Sequence, residues 1–393
     1  MSTYPLSPID HIFTGIGSYP IEFVFAYDGI IEEERLRDTL NETLCLFPPA
    51  RSKLVRTSEH AYGFEVSDEG VHFESVSSSI NFDDEEYRHT YIDPVDSVED
   101  EPLTRIRLTR TPKGSVLGVS MSHAVVDGFS YFYFLSTWAR IFNGSRVLEP
   151  VHNREVLIPT ELQRDTSMTI TRADILNTAG LFWEARRAAI ARDRLVWETR
   201  TISREEMNAL LAEAQKDSDL RLSHNDVITA SLWKEYLGKW EPLHDDDTTY
   251  ISCPVDFRRI LKPFAPNYFG CAVSLATTTL EYGRLVDAPL VDLALAVRAN
   301  VAAVNAASVR RSLETLEAQR RQEGLSVVEE MHVIHPHAGL LVTNLSRLPV
   351  DEVAFDAGPP VAYEILTPAP RGAVVLPGQD GVEIRVCCPP TSK

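Results

Sequence analysis

Two hydrophobic patterns follow one another in the first 50 residues. Residues 21–27 (IEFVFAY) are rich in β-branched and aromatic side chains, which is typical of a strand. Leu36, Leu40 and Leu44 then recur at the spacing of one helix face, and Pro48-Pro49 cannot continue that helix. The pattern therefore predicts a strand and then an amphipathic helix in this part of the chain.

Residues 103–142 predict a β-hairpin followed by a helix. Residues 103–110 (LTRIRLTR) alternate between apolar and polar, residues 115–121 (SVLGVSM) are mainly apolar, and Pro112-Lys113-Gly114 between them favours a turn. The aromatic-rich residues 129–142 predict a helix that Asn143-Gly144 ends. The segment SHAVVDG, residues 122–128, lies between the second strand and this helix.

The rest of the chain mixes helices and strands irregularly. We predict helices over 172–193, 288–303 and 309–322, strands over 195–202 and 249–255, a capping box at Ser203 and Glu206, and an apolar helix capped by Asn225 or Asp226. The steady β–α alternation and Gly-rich phosphate loop of a nucleotide-binding fold are missing. We predict an α/β protein with mixed sheets, a first domain over 1–150, a connecting segment over 151–194 and a second domain over 195–393.

Composition excludes several classes of protein. Of 393 residues, 44% are hydrophobic and 24% are charged, and 38 Lys plus Arg face 57 Asp plus Glu, for a net charge of −19. This acidity disfavours nucleic-acid binding. The sequence has no apolar run of about 18 residues, no signal-peptide pattern at its start, and no C-x-x-C pair among its five cysteines. We expect a cytoplasmic protein that uses neither a membrane nor nucleic acid.

His123, Asp127 and Gly128 form an H-x-x-x-D-G motif at the end of an apolar strand. An imidazole can accept a proton near neutral pH and return it, which suits an alcohol or amine nucleophile. A buried Asp127 needs a charged partner, and Gly128 permits a close turn. The motif alone leaves two other interpretations open: a packed or surface histidine, or a His–Asp pair of metal ligands, although no third ligand lies near in sequence.

SHAVVDG resembles the active-site motif of the BAHD acyltransferases, a family within the chloramphenicol-acetyltransferase-like superfamily. Further segments are similar in the same order along the chain. They are LSPID (6–10), which resembles the entry to the family's N-terminal strand, LCLFPPARSKL (44–54), LSHNDVITASLW (222–233), PVDFRRILKPFAPNYFG (254–270) and VTNLSRLPVDEVAFDAGPP (342–360). The number and order of these segments extend the resemblance over nearly the whole chain.

The resemblance implies two similarly built domains with a tunnel and the active site at their interface. His123 would be the general base that activates the acceptor, attack on the thioester would give a tetrahedral oxyanion, and no covalent acyl-enzyme would form. Asp127 would point away from the substrate and pair with Arg258, or with Arg259 if the alignment is shifted by one residue. This pair would hold the histidine loop, because a guanidinium binds a carboxylate through two hydrogen bonds.

Other matched positions depart from the family pattern in part. Tyr268, Phe269 and Gly270 match its YFG segment, with Cys271 in place of Asn, and Asp356 and Gly358 match two positions of the DFGWG loop, which is structural in the family. Thr343 and Asn344 stand where the family has Thr or Ser before Trp. They are candidates for binding the oxyanion or orienting the acceptor, or else simply pack in a strand.

Two remaining features have simple explanations. His332, His335 and His337 are close in sequence, but Pro336 prevents a helix that would aim their rings at one metal, so we expect a strand or loop with solvent-facing histidines and no metal site. Cys387 and Cys388 would point to opposite faces of a strand.

We therefore expect an acyl-CoA-dependent O-acyltransferase for a hydroxyl, or an amine, of a small and specialised metabolite. Acyl-CoA would be a co-substrate, with no permanently bound cofactor, and the protein would be a monomer. Two alternatives stay open. A condensation-type or polyketide-associated transferase would take its acyl group from a carrier protein, but such proteins usually have a second His at the position of Ser122. A non-catalytic binding protein would have no reason to retain His123, Asp127, Gly128 and Arg258 together.

Overall fold

The computed structural model describes residues 2–160, 169–216 and 220–389. Its strands are β1 Thr3–Pro5, β2 Ile21–Tyr27, β3 Ser52–Ser58, β4 Ala61–Val66, β5 Val71–Ser77, β6 Thr104–Thr111, β7 Gly114–Met121, β8 Phe182–Trp183, β9 Val196–Ser203, β10 Thr248–Asp256, β11 Val273–Glu281, β12 Met331–His332, β13 Gly339–Asn344, β14 Ala362–Ile365, β15 Gly372–Gly378 and β16 Gly381–Cys388. Its helices are α1 Pro8–Ile12, α2 Glu33–Leu46, α3 Gly128–Phe142, α4 Arg172–Ala179, α5 Arg204–Lys216, α6 His224–Tyr236, α7 Tyr282–Asp287, α8 Leu290–Ala303 and α9 Ala306–Glu323.

Two mixed sheets organise these elements. The first has five strands in the order β14-β2-β7-β6-β5, and the second has six in the order β11-β10-β13-β15-β16-β9. In the first sheet β5 and β6 are parallel, and in the second β13 is parallel to both of its neighbours. Each sheet contributes to its own cluster of buried apolar side chains. The predicted α/β architecture with mixed sheets is confirmed.

The C-terminal half contributes one strand to the first sheet. β14 comes from the C-terminal part of the chain, yet it pairs with β2 in the first sheet, with Ile365 opposite Phe23. The core of the first half likewise contains buried residues from α9, such as Leu313 and Leu316. The division into 1–150, 151–194 and 195–393 stays a prediction, and the strand pairing shows that the last of these segments reaches into the first sheet.

Several predicted elements are confirmed. β6 and β7 form the expected antiparallel hairpin, with Thr104 opposite Met121 and Thr111 opposite Gly114. α2 buries Leu36, Leu40 and Leu44 on one face, as their spacing predicts. α3 ends at Phe142, directly before Asn143-Gly144.

Three local predictions were wrong. The helix predicted over 172–193 ends at Ala179, because Gly180 adopts a left-handed conformation with φ 67° and the chain then enters β8. The N-cap of α6 is Ser223, whereas Asp226 is the third helical residue and completes the capping box. LSPID, expected at the entry to an N-terminal strand, instead follows β1 and leads into α1, because Ser7 caps α1 and Pro8 suits the first helical position.

Within the described ranges, no single helix is long and apolar enough to cross a bilayer, and α8 with α9 reaches that criterion only as a pair bent by 78°.

Candidate active site

β7 delivers the chain to the His123 loop, residues 122–127. The loop closes tightly because the amides of Val125 and Val126 both donate to the carbonyl of Ser122, at 2.9 and 3.2 Å. Asp127 then caps α3 by accepting a hydrogen bond from the amide of Ser130 at 2.8 Å. The apolar residues of the loop are fully buried. A strand, a tight turn and a capped helix therefore fix the backbone on either side of His123.

Aromatic rings surround the imidazole of His123. Phe13 stacks on it with a centroid distance of 3.9 Å and an interplanar angle of 12°, and Tyr19 meets it edge-on at 5.9 Å. Desolvation lowers the pKa of His123 to about 4, and its own backbone carbonyl and the charge of Asp127 offset this only in part. The imidazole is therefore neutral at pH 7, which is the form that accepts a proton.

Arg258 pairs with Asp127 from the second half of the chain. Arg258 Nη1 lies 2.7 Å from Asp127 Oδ2, and the two side chains are only 2% and 3% exposed. Nη2 donates to Oδ1 at 2.9 Å, and the amide of Ala272 donates to Oδ2 at 3.0 Å. Desolvation raises the pKa of Asp127, but Arg258 and the backbone donors outweigh it, so the pKa lies below its usual value. Asp127 is thus a fixed anion that holds the loop and does not exchange protons.

The segment Tyr268–Gly270 holds Arg258 in place. Arg258 Nε donates to the carbonyl of Tyr268 at 3.1 Å, and Nη2 donates to that of Gly270 at 2.9 Å. A Cβ on Gly270 would lie 2.6 Å from the Tyr268 hydroxyl, so only glycine fits there. Phe269 is fully buried against Phe47. This matched segment therefore acts on His123 indirectly, through Arg258 and Asp127.

Asp356 and Gly358 lie in a turn between the short 3₁₀ helix Val350–Glu352 and β14. Neither residue lines a cavity that adjoins His123. Asp356 accepts a hydrogen bond from the amide of Glu32 at 3.2 Å. Gly358 has φ 83° and donates to the carbonyl of Phe355. Asp356 therefore connects this turn to the start of α2, whereas Gly358 closes the turn itself.

Three cavities lie in a series, in which the central one shares lining residues with each of the other two. The central cavity, of about 120 Å³, contains His123 and is lined largely by apolar side chains. The Arg258 cavity, of about 630 Å³, shares with it Asp127, Gly128, Pro254, Val273, Thr343 and Leu345. The Arg187 cavity, of about 280 Å³, shares with it Phe13, Tyr19, Val333 and Ala369. His123 therefore lies in the middle cavity of the series. A molecule in the Arg258 cavity and one in the Arg187 cavity can approach it from different sides.

Thr343 and Asn344 differ in what they face. Thr343 lines both the central and the Arg258 cavity, whereas Asn344 lines only the latter and is exposed. The side-chain amide of Asn344 already has partners: its Nδ2 donates to Asn225 Oδ1 at 2.8 Å, and its Oδ1 accepts from the Ser346 amide. The hydroxyl of Thr343 is therefore the better placed of the two for a group reacting at His123.

Phe13 and Tyr19 are site residues that the sequence analysis missed. They come from the turn between α1 and β2, and both line the boundary between the central and Arg187 cavities. The available signal was two aromatic residues within the ten residues after LSPID, but a contact with a loop more than about 100 residues away has no spacing rule.

The clustered histidines lie beside the Arg187 cavity. His332 and His335 line it and His337 is exposed. His335 stacks on Tyr250 at 4.6 Å, and desolvation lowers its pKa to about 4.

Elsewhere His72, Glu74 and Asp93 bring their ligand atoms within 4.8 Å of one another, but Glu74 pairs with Arg107 and Asp93 with Arg105. Both carboxylates are thus already neutralised by arginines.

Residues 2–392 match the model of the Transferase family. The chain belongs to this family, the BAHD acyltransferases, as its motifs predicted. It is 27% identical over 381 residues to hydroxycinnamoyltransferase 2 of Oryza sativa subsp. japonica, covering 90% of this chain and 82% of that protein.

Further relatives and solved structures agree. A hydroxycinnamoyl-CoA:5-hydroxyanthranilate N-hydroxycinnamoyltransferase of Avena sativa is 26% identical, over 86% of this chain and 78% of its own length. TRI101 of F. sporotrichioides, complexed with coenzyme A and T-2, superposes with a TM-score of 0.75 at 14% identity, over 98% of this chain and 94% of TRI101. Vinorine synthase gives 0.71 at 16% identity, over 100% and 91%. These structures establish a shared fold.

Proposed function

We propose that this BAHD family member transfers an acyl group from an acyl-CoA thioester to a hydroxyl or amine of a small molecule. The observation that supports this most directly is a neutral imidazole midway along adjoining cavities. Donor and acceptor can then approach His123 from different cavities. Three of the similar structures, all of TRI101, contain coenzyme A together with a small molecule.

In this mechanism His123 takes the proton from the acceptor as the acceptor attacks the thioester carbonyl carbon. A tetrahedral oxyanion forms and the imidazole becomes positively charged. When the carbon–sulfur bond breaks, His123 returns the proton to the departing thiolate, so the products are the acylated acceptor and free CoA. General base catalysis of this kind contributes about 10²–10⁴-fold in rate. Proximity and oxyanion stabilisation supply the remainder.

Direct transfer, without an acyl-enzyme, is favoured by the state of the cysteine beside His123. Cys387 lines the central cavity, but burial raises its pKa to about 12. Its thiol therefore stays protonated at pH 7 and is a poor nucleophile. The acceptor itself is the nucleophile that His123 activates. We assign Thr343 the role of hydrogen-bond donor to the oxyanion, because its side chain faces the same cavity as His123.

The lining of the central cavity favours an apolar acyl group. Its side chains include Ile21, Leu275, Leu341 and Val374, and such a surface binds aliphatic or aromatic groups by removing them from water. Several relatives are named as hydroxycinnamoyl or benzoyl transferases, some acting on nitrogen and one named an omega-hydroxypalmitate O-feruloyl transferase. We propose a hydroxycinnamoyl-type donor, with an alcohol or amine acceptor.

The test is release of free thiol from a panel of donors and acceptors. The protein is incubated with hydroxycinnamoyl-CoA, benzoyl-CoA and acetyl-CoA, each with alcohols and with aromatic amines, and both thiol and ester or amide products are followed. We expect thiol release that requires an acceptor, and no mass increase of the protein when donor is added alone. Absence of acceptor-dependent release with every donor would contradict the proposal. Activity only with a carrier-protein-bound donor would replace the CoA part of it.

A further inference from the structure

A second arginine reaches the His123 loop. Arg154 Nη2 donates to the carbonyl of Val125 at 3.0 Å, two residues after His123. Its Nε donates to Asp10 Oδ2 at 3.1 Å, and both side chains are 0% exposed. A guanidinium buried this deeply is costly unless it is paired. Here one charged group joins the centre of the loop to the N-terminal helix α1.

Asp10 connects this arginine to the ring that stacks on His123. Asp10 is held in α1 by a capping box, in which the amide of Ser7 donates to Asp10 Oδ2 at 2.8 Å. Phe13 follows α1 directly, and its amide donates to the carbonyl of Asp10 at 3.1 Å. The position of Phe13 therefore depends on that of Asp10, with less than one helical turn between them.

Arg187 holds the same short segment from another side. Its Nη1 donates to the carbonyl of Ile12 at 2.9 Å and its Nη2 to that of Thr14 at 2.6 Å, on either side of Phe13. Phe13 is only 6% exposed. The stacked ring is thus held on a backbone that two arginines restrain, and Arg154 is the one that also contacts the His123 loop.

We propose that Arg154, through Asp10 and Phe13, is a positioning residue that sets the orientation of the His123 imidazole. Arg258 anchors the end of the loop at Asp127, and Arg154 anchors its middle at Val125. His123 lies between Ser122 and this second anchor. The plane of its ring is then set by Phe13, whose own support leads back to Arg154. For catalysis this inference rests on the proposed role of His123 as the base.

The variant Arg154→Lys tests this. Lysine retains the positive charge near Asp10 but lacks the forked guanidinium that bonds the carboxylate and the Val125 carbonyl together. We expect kcat to fall about tenfold or more, with KM changed by less than about threefold, because orientation and not binding is impaired. The matched control is Arg298→Lys, since Arg298 also pairs with a buried carboxylate, that of Asp226, and neither lines any of the three cavities.

A second readout does not depend on activity. In protein with ¹³C-labelled histidine, the His123 resonance is assigned by its loss in His123→Gln and titrated with acid. The pKa of His123 should rise toward 6.5 in Arg154→Lys, because a ring no longer held against Phe13 is better solvated, while Arg298→Lys should leave it unchanged. An unchanged titration in folded Arg154→Lys would overturn the positioning role, even if wild type proved inactive. An inactive wild type with a shifted titration would instead count against the proposed reaction.

If Arg154→Lys does not fold, Asp10→Asn replaces it. Asparagine keeps an acceptor for the Ser7 amide but removes the charge that pairs with Arg154. The same titration shift and the same fall in kcat are expected, in smaller amount. If a folded Asp10→Asn protein keeps both the wild-type titration and the wild-type kcat, the inference is wrong.

Discussion

The segments at the ends of β7 and β13 both line the central cavity, but they differ in how deeply they are buried and how firmly they are held. After β7, the residues Ser122, Ala124, Val125 and Val126 are fully buried, and Arg258 and Arg154 both bond the loop. At the end of β13 and beyond it, residues 343–349 are half-buried or exposed. The Leu345 amide still bonds the Val375 carbonyl, at 2.8 Å, and then the chain leaves the sheet.

This difference separates two requirements of a transferase. In the proposed mechanism His123 must keep one geometry for every substrate, and its loop is anchored by buried charges. In the same mechanism the end of β13 accommodates the donor and the acceptor, and its residues are half-buried or exposed. We infer that replacements at the end of β7 affect the rate of reaction, and that replacements at the end of β13 change how substrates are held.

The largest effect is expected for His123→Ala. Removing the general base should lower turnover by about 10²–10⁴-fold without unfolding the protein, since the ring lines a cavity and has no partner in a salt bridge. Initial-rate measurements together with a thermal melt check both points. His89→Ala, at an exposed histidine, is the control. A His123→Ala protein as active as wild type would remove the base from the mechanism.

Arg258→Ala should act on stability as well as rate. It leaves the buried carboxylate of Asp127 without its partner, which costs about 3–5 kcal/mol in free energy of unfolding. Urea denaturation of Arg258→Ala, Asp127→Asn and the double variant measures the coupling. The double variant should be less destabilised than the sum of the single ones. Additive losses would mean that the pair contributes nothing beyond its separate packing.

At the end of β13, Thr343 and Asn344 should differ from each other. Thr343→Val keeps the shape but removes the proposed oxyanion donor, and such a loss typically costs about 10²–10³-fold in kcat. Asn344→Ala removes an exposed amide bonded to Asn225 and Ser346, so we expect stability within about 0.5 kcal/mol of wild type and turnover close to it. Equal kcat values for wild type and Thr343→Val would assign the oxyanion contact to another group.

The smallest of these effects is the pH dependence. Desolvation lowers the pKa of His123 to about 4 in the folded protein, so the neutral, active imidazole persists well below 6.5. The log of kcat/KM should stay level from pH 7 to about 5 and fall by about one unit per pH unit below about 4. A fall centred near 6.5 would mean that the ring is more solvated than the cavity implies.

A second buried histidine, His11, makes the stability of the protein depend on pH. His11 is buried between the Ser7 carbonyl and the Tyr62 amide, and desolvation lowers its pKa to about 4. In the unfolded chain His11 is therefore protonated below pH 6.5, whereas in the folded protein it becomes protonated only below about pH 4. Stability should decrease as pH falls through this window, by up to about 1.4 kcal/mol per pH unit for one such group, which sets the acid limit of the kinetic assay.

Local patterns predicted much of the architecture. The hairpin β6–β7, the apolar face of α2 and the bounds of α3 follow from spacing and turn residues, because those signals come from neighbours within one turn or one strand. Motif order was sufficient for the family, and it also singled out His123, Asp127 and Arg258 before any contact between them was visible. The helix predicted over 172–193 shows the limit, since a single glycine at 180 outweighed a favourable composition.

The sequence by itself therefore determined the family and its candidate residues: His123, Asp127 and Arg258, in segments whose order matches that family. Only the tertiary structure decided which groups surround that histidine. The stacking of Phe13, the second anchor at Arg154 and the strand β14 in the first sheet join residues from distant parts of the chain. Such contacts depend on burial and on the packing of whole elements, and no local spacing along the sequence encodes them.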